Sequence, residues 1–412
     1  ITHLSFVGRI LSFAELSAGK EVLLSYRVNV LEQAVVSASR FEEKRRDVPE
    51  RIDVIKRREI TFMDQPTMAE LLQNTGSVFV QKSQLGGGSP VIRGFEASRV
   101  LLVVDGVRMN NAIYRAGHLQ DIISMDQSVL DRIEVVSGPN SVAYGSDALG
   151  GTIHMMTRTP RFNDATGLRV NGDAFFRFGT AAQEKTAHLG LELRGKSISS
   201  FTSVTASDFG DLRTGSTRNP FHGDWGLRPF YVEEQNEQDV VVDNDDWNVQ
   251  VGTGYKQLDL MEKLRIRSGP RTVHQLNFQL STSSDIPRYD RLTEYSLDTA
   301  GNYVPAQAEW YYGPQKRMLV AYTLEMEREL GFYNKLRFTP SYQINEQSRN
   351  SRGWGSSRLG VNNEKVAVLG FNLDLEKGIR KHELRYGAEF YANDVESEAY
   401  REHVRTGEIT YR

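Results

Sequence analysis

The chain has 412 residues, enough for two or three ordinary domains, with 25% charged residues and a formal net charge of −3; at a pI of about 6.3 no global basic field points to nucleic acid. No run approaches the roughly 18 apolar residues of a membrane helix, so helical spanning is excluded; a β-barrel is not, because only alternate residues face lipid and the mean hydropathy of −0.46 stays polar. Cysteine is absent, which removes disulfides, thiolate catalysis and Cys-based zinc sites and leaves the compartment open.

In chain order, Leu4 to Val7, Val22 to Tyr26 and Val28 to Leu31 read as short β segments, too few to bury a core alone. Glu32 to Arg40 is β-prone and leads into charge. It fits either an exposed extended segment or a buried strand of the first domain. Phe41 to Arg51 reads as a charged, solvated linker. The pattern predicts a strand over Ile52 to Ile60. A helix is expected over Thr67 to Asn74, with Met68, Leu71 and Leu72 on one face and Thr67 near its N-cap. Gly86-Gly87-Gly88 is expected to be a flexible loop.

The stretch from Ser89 to Pro160 organises the rest. Val100 to Val104 is a short apolar run, Asp105-Gly106 a two-residue turn and Val107-Arg108-Met109 the return. Asp-Gly between apolar runs favours a primed turn, since both central residues take positive φ. Arg132 to Val136 is another short strand, stopped by Ser137-Gly138-Pro139. Gly145, Gly150 and Gly151 frame a sharply bending backbone. Taken alone, these residues also fit a small soluble α+β domain.

The ordered motifs Arg93-Gly94-Phe95, LLVVDGVRMN and IEVVSGPNSVAYGSDALGGTI resemble the plug domain of TonB-dependent outer-membrane receptors, densely from Asp53 to Pro160. That resemblance implies a mainly β fold: an N-terminal α+β plug inside a transmembrane antiparallel β-barrel, 22-stranded in the family. Residues 1–31 resemble the end of a carboxypeptidase-regulatory-like β-sandwich, as in receptors of the Bacteroidetes type. Residues 32–51 would be the TonB box and linker, the box falling on Glu32, Gln33, Ala34, Val35, Val36 and Ser37. Residues 52–162 would be the plug, and 163–412 the first part of the barrel. An open half-barrel leaves a bare edge in hydrocarbon. We therefore expect a fragment: the chain begins at Ile1 with no charged region followed by an apolar core, which fits either a removed signal peptide or an internal portion, and the missing strands would lie beyond Arg412 or come from another chain.

After Pro160 the residues alternate independently of any resemblance. Trp247 to Tyr255, Leu276 to Leu280, Met318 to Met326, Leu336 to Ile344 and Leu384 to Phe390 each place apolar side chains at every second position. Runs of about ten residues suit tilted membrane strands. Short turns such as Gly195-Lys196 and Lys377-Gly378 alternate with long polar loops, Gly210 to Asp246 and Asp285 to Gln315, an asymmetry of outer-membrane barrels. A soluble all-β sandwich makes similar strands but rarely such loops.

No G-x-S-x-G elbow, H-E-x-x-H or P-loop occurs, and no enzyme activity is expected. One of the eight scattered histidines, His118, follows the return strand within Asn111 to Gln120. This loop resembles that of haem- and haemoglobin-uptake receptors, whose apical Gly-His-Leu ligates haem iron. Gly117-His118-Leu119 would put that role on His118, with Tyr114 beside it. Neutral imidazole suits haem iron, while a loop histidine held by a neighbouring carbonyl fits the same residues. The family's FRAP and NPNL barrel segments, which carry the second axial residue, do not occur in these residues; His222 is the weaker alternative.

The resemblance implies a bacterial outer-membrane location, with haem as transported ligand and no tightly bound cofactor. Its partners would be TonB with ExbB and ExbD, outer-membrane lipid, a haem protein and a surface lipoprotein over the loops. Arg93, Arg132 and Glu134, together with Arg108, are expected to form ion pairs holding plug to wall. Siderophore, cobalamin, peptide or glycan remain alternative cargoes, and a scaffold subunit of a larger assembly is an alternative role.

Overall fold

The computed structural model describes residues 34–35, 40–41, 43–45, 48–113, 122–140, 144–145, 147–165, 167–218, 220–298 and 300–411. The expectations for residues 1–31, for Glu32, Gln33, Val36 and Ser37, and for Tyr114 and His118 lie outside these. Ala34–Val35 is a short strand paired antiparallel with Glu43–Lys44.

The first half folds around a five-stranded sheet in the order Arg51–Lys56, Leu130–Ser137, Gly151–Thr157, Val100–Val104, Val107–Arg108. Val100–Val104 is buried along its whole length, as a continuous apolar run predicts for a central strand. It runs parallel to Gly151–Thr157, so the connection must cross over, and Leu130–Ser137 lies within that crossover. Asp105 and Gly106 take φ of 49° and 86°, closing the primed hairpin that pairs Val104 with Val107. Helix Met68–Asn74 buries Met68, Leu71 and Leu72, and its N-cap Thr67 accepts from Ala69 N.

The second half is a twelve-stranded sheet wrapped beside the first. Its main path is an antiparallel meander: Arg169–Gly179, Glu184–Arg194, Ile198–Phe209, Tyr255–Gly269, Thr272–Ser283, Lys316–Glu327, Lys335–Gly353, Arg358–Ile379, His382–His403 and Ile409–Tyr411. Among the described residues this wall is open, with Arg169–Gly179 and Ile409–Tyr411 at its edges.

Most of the wall's inward side chains are polar, and its outward ones are largely apolar. In Glu184–Arg194 the buried side chains are Glu184, Thr186, His188 and Glu192, while Leu189 and Leu191 are 60% and 40% exposed. Thr272–Ser283 buries Asn277, Gln279 and Ser281 and turns Leu276 outward. A water-soluble sandwich would show the opposite polarity; this one suits lipid outside and a polar plug inside. No described helix is long and apolar enough to cross a membrane.

Several local expectations are corrected. The strand expected over Ile52 to Ile60 ends at Lys56, and Arg57–Met63 is helical; Glu59 accepts from Lys56 N at 2.9 Å, a cap that competes with strand continuation. The single strand expected over Trp247 to Tyr255 forms only as Val249–Gln250, and Tyr255 opens the next strand, Tyr255–Gly269. Between them the Asp211 carboxylate accepts from the backbone N–H of Gly252, Thr253 and Gly254 at 2.8–3.0 Å, curling a segment whose Gly252 sits at φ 80°. Gly86-Gly87-Gly88 is buried rather than a flexible loop. A Cβ on Gly86 would stand 2.8 Å from the Tyr255 ring and 2.9 Å from Ile286, so the inner domain's backbone presses on the wall side here. The long loop after Phe209 holds its own hairpin, Phe230–Gln235 with Gln238–Asp243.

Candidate functional site

The chemistry concentrates where the inner domain meets the wall, and its hub is the Asp105-Gly106 turn. Positive φ at both residues turns the Asp105 carboxylate back over Thr157, whose backbone N–H donates to Oδ1 at 2.9 Å and whose hydroxyl donates to Oδ2 at 2.5 Å. From the wall, Lys263 Nζ approaches Oδ2 to 3.0 Å and Asn277 Nδ2 donates to it at 2.8 Å. The Lys263 side chain is 0% exposed. A lysine so placed needs a paired, hydrogen-bonded carboxylate.

Wall amides hold the same turn by its main chain. Asn372 Nδ2 donates to Gly106 O at 3.2 Å and Gln343 Nε2 to Arg108 O at 2.9 Å. Nearer the long loops, Gln257 Nε2 donates to Ile123 O at 2.8 Å and Arg317 Nε to Ser124 O at 3.3 Å. Part of the interface is apolar. Phe201, Phe209, Tyr255, Met261 and Ile286 of the wall side join one core cluster with Leu71, Leu72, Ile133 and Ile153.

Arg108 carries the second cluster. It pairs with Asp147 at 2.5 Å and with Glu389 of the wall at 3.2 Å. Glu389 also pairs with Arg40, which reaches Asp374 at 3.4 Å and lies 4.7 Å from the centre of the Tyr144 ring. One wall carboxylate thus joins the hairpin to the segment that follows Ala34–Val35.

Of the other residues expected to tie the domains together, Arg132 and Glu134 pair with one another at 2.8 Å within Leu130–Ser137. Arg93 is exposed at φ 52°, with its guanidinium beside Gly138. Cross-wall pairs that sequence reasoning missed include Asp105–Lys263, Arg40–Asp374 and Arg158–Asp173, the last at 2.6 Å. A signal existed: Asp259, Lys263 and Arg265 alternate with Leu258, Leu260, Leu264 and Ile266, so charge repeats on the inward register.

Behind the turn lies His154. Gly106 N donates to its Nε2 at 3.1 Å, leaving Nδ1 to carry the proton towards Tyr144 OH at 3.4 Å. Burial pushes this imidazole down to about 4, against the opposing pull of Glu134 and Asp105, so it is neutral at ordinary pH. Burial likewise raises the Tyr144 phenol.

Residues 44–152 match the model of the TonB-dependent receptor plug domain. Over 170 residues the chain is 31% identical to the vitamin B12 transporter BtuB of Vibrio vulnificus (strain CMCP6), covering 40% of this chain and 27% of that protein. The solved copper transporter OprC superposes with a TM-score of 0.66 at 15% identity, covering 87% of this chain and 48% of that one. A double mutant of the Serratia marcescens hemophore receptor HasR, in complex with its hemophore HasA and heme, gives a TM-score of 0.63 at 14% identity over 86% of this chain and 46% of that one. The chain therefore spans about a quarter of the curated relative and under half of the solved ones.

Proposed function

We propose that this chain, which carries the plug and part of the barrel of a TonB-dependent receptor of the bacterial outer membrane, imports an iron-containing ligand, haem, through TonB-driven displacement of the plug. The observation that carries this reading is how the plug is seated. Single side chains reach turn carbonyls, and charge pairs such as Lys263 with Asp105 fix the hairpin. Such contacts separate one at a time with water taking their place, which a fully apolar interface would not allow.

Haem entering from the long-loop side meets the segment after Val107–Arg108. There Gly117-His118-Leu119 offers an imidazole ligand, with Tyr114 close in sequence. Ligand contact must favour one state of the plug over another to signal at all. Through Arg108, Glu389 and Arg40 it reaches the segment 32–51, where TonB adds to an extended strand and pulls, driven by ExbB and ExbD. The resemblance of the sequence of residues 1–31 to the end of a carboxypeptidase-regulatory-like sandwich supports a Bacteroidetes-type receptor, and a surface lipoprotein would sit over the loops 210–254 and 284–315.

The test is a haem titration of the purified full-length receptor, followed in the Soret band. A new band lost in His118→Ala supports the reading; no band, or one unchanged in that variant, ends the haem assignment. The identity to a vitamin B12 transporter favours cobalamin as the second reading, and the same titration with cyanocobalamin distinguishes the two.

A further inference from the structure

At the end of the lumen opposite the long loops, a cavity of about 810 Å³ opens between plug and wall. Seven arginines line it against four carboxylates. On the plug side Arg57 and Arg158 share one carboxylate, Asp173, at 3.4 and 2.6 Å. On the wall side Arg265 and Arg337 share another, Glu325, at 3.7 and 2.9 Å. Of the lining carboxylates, Asp105 is already committed to Lys263 and Glu192 to Arg194. Buried Nε atoms of Arg194 and Arg265 meet no acceptor among the described residues. Burial first, and then the neighbouring Arg158, hold the Arg57 guanidinium below its usual range against the opposing pull of Asp173 and Asp131.

We propose that this chamber is an anion-binding site that takes a ligand bearing two or more carboxylate or phosphate groups, bridged between the Arg57–Arg158 pair of the plug and the Arg265–Arg337 pair of the wall. Two guanidinium groups sharing one carboxylate retain unmatched N–H donors, and planar guanidinium forks suit bidentate oxyanions. A volume of this size falls within the range that holds small-molecule ligands. Since one half of the site moves with the plug and the other stays with the wall, a bridging anion would bind tightest while the plug is seated. The site is independent of which cargo enters above.

The experiment is calorimetric titration of the purified full-length receptor in detergent, at low ionic strength, with inorganic pyrophosphate in one arm and citrate in the other. Saturable binding that weakens roughly tenfold or more in Arg265→Gln/Arg337→Gln is expected, and the tighter arm tells phosphate from carboxylate chemistry. Heat-modifiable migration on gels checks that the variant barrel has formed. Glu325→Gln supplies a test of opposite sign: removing the competing carboxylate should tighten binding by roughly threefold, whereas a purely structural ion pair gives no tightening. Binding of neither anion, binding unchanged in the double variant, or binding that is unchanged or weaker in Glu325→Gln overturns the site. None of these results depends on haem or TonB.

Discussion

Lys263 Nζ stands 3.0 Å from Asp105 Oδ2, joining the middle of a wall strand to the tip of the plug's Asp-Gly hairpin. The lysine is fully enclosed, so the pair's worth lies less in attraction than in the penalty of leaving either charge alone. Lys263→Met or Asp105→Asn should each loosen the plug by about 3–5 kcal/mol. The double variant should regain much of that loss. Hydrogen exchange of residues 100–108 in the full-length receptor reads it; strictly additive losses would show that the pair does not matter as a pair.

His154 sets a pH window. Its folded value of about 4 lies below the ordinary 6.5, so the folded plug favours the neutral ring. Stability is therefore full above pH 6.5, falls as the pH drops towards 4, and levels off below, for a total of about 3 kcal/mol. Plug unfolding followed between pH 7 and 4 should show this slope, and His154→Gln should flatten it. An unchanged slope in the variant would assign the acid sensitivity elsewhere.

Arg40 holds the segment behind Ala34–Val35 through Asp374 and Glu389. Arg40→Ala should raise proteolytic cleavage around residues 34–44 by roughly tenfold, the effect of losing about 1.5 kcal/mol of charge-assisted bonding. Limited proteolysis of intact receptor measures it, and cleavage at the wild-type rate contradicts the role.

Gly86 tests the contact of plug backbone with wall. A side chain there meets a ring and a branched aliphatic group at under 3 Å, so Gly86→Val should cost about 1–3 kcal/mol by overpacking. Thermal unfolding compares it with Gly215→Val, where nothing stands within 4 Å. Equal losses at both positions would mean that the plug does not press on Tyr255.

Those particular residues also show how far the sequence could be read. The Asp-Gly hairpin and the strands Thr272–Ser283 and Lys316–Glu327 were legible because turn chemistry and period-two alternation are local. Gly86 was not, because its neighbour Tyr255 lies far along the chain and a glycine run reads the same whether loose or pressed flat. The region around Ile60 failed because a short apolar run suits strand or helix until the Glu59 cap decides. Lys263 needed the strand's register before its charge could be placed inward, and its partner could be found only in three dimensions.

The most direct test of the account asks whether the plug must leave the wall for import. These 412 residues contain no cysteine, so once any cysteine elsewhere in the full-length receptor is replaced by serine, Asp105→Cys with Lys263→Cys gives two thiols that a short bismaleimide can join, while removing both charges together. Cells expressing the variant should take up haem iron before cross-linking and fail to do so after it. Uptake that continues with plug and wall covalently tied would contradict displacement of this hairpin as the transport step.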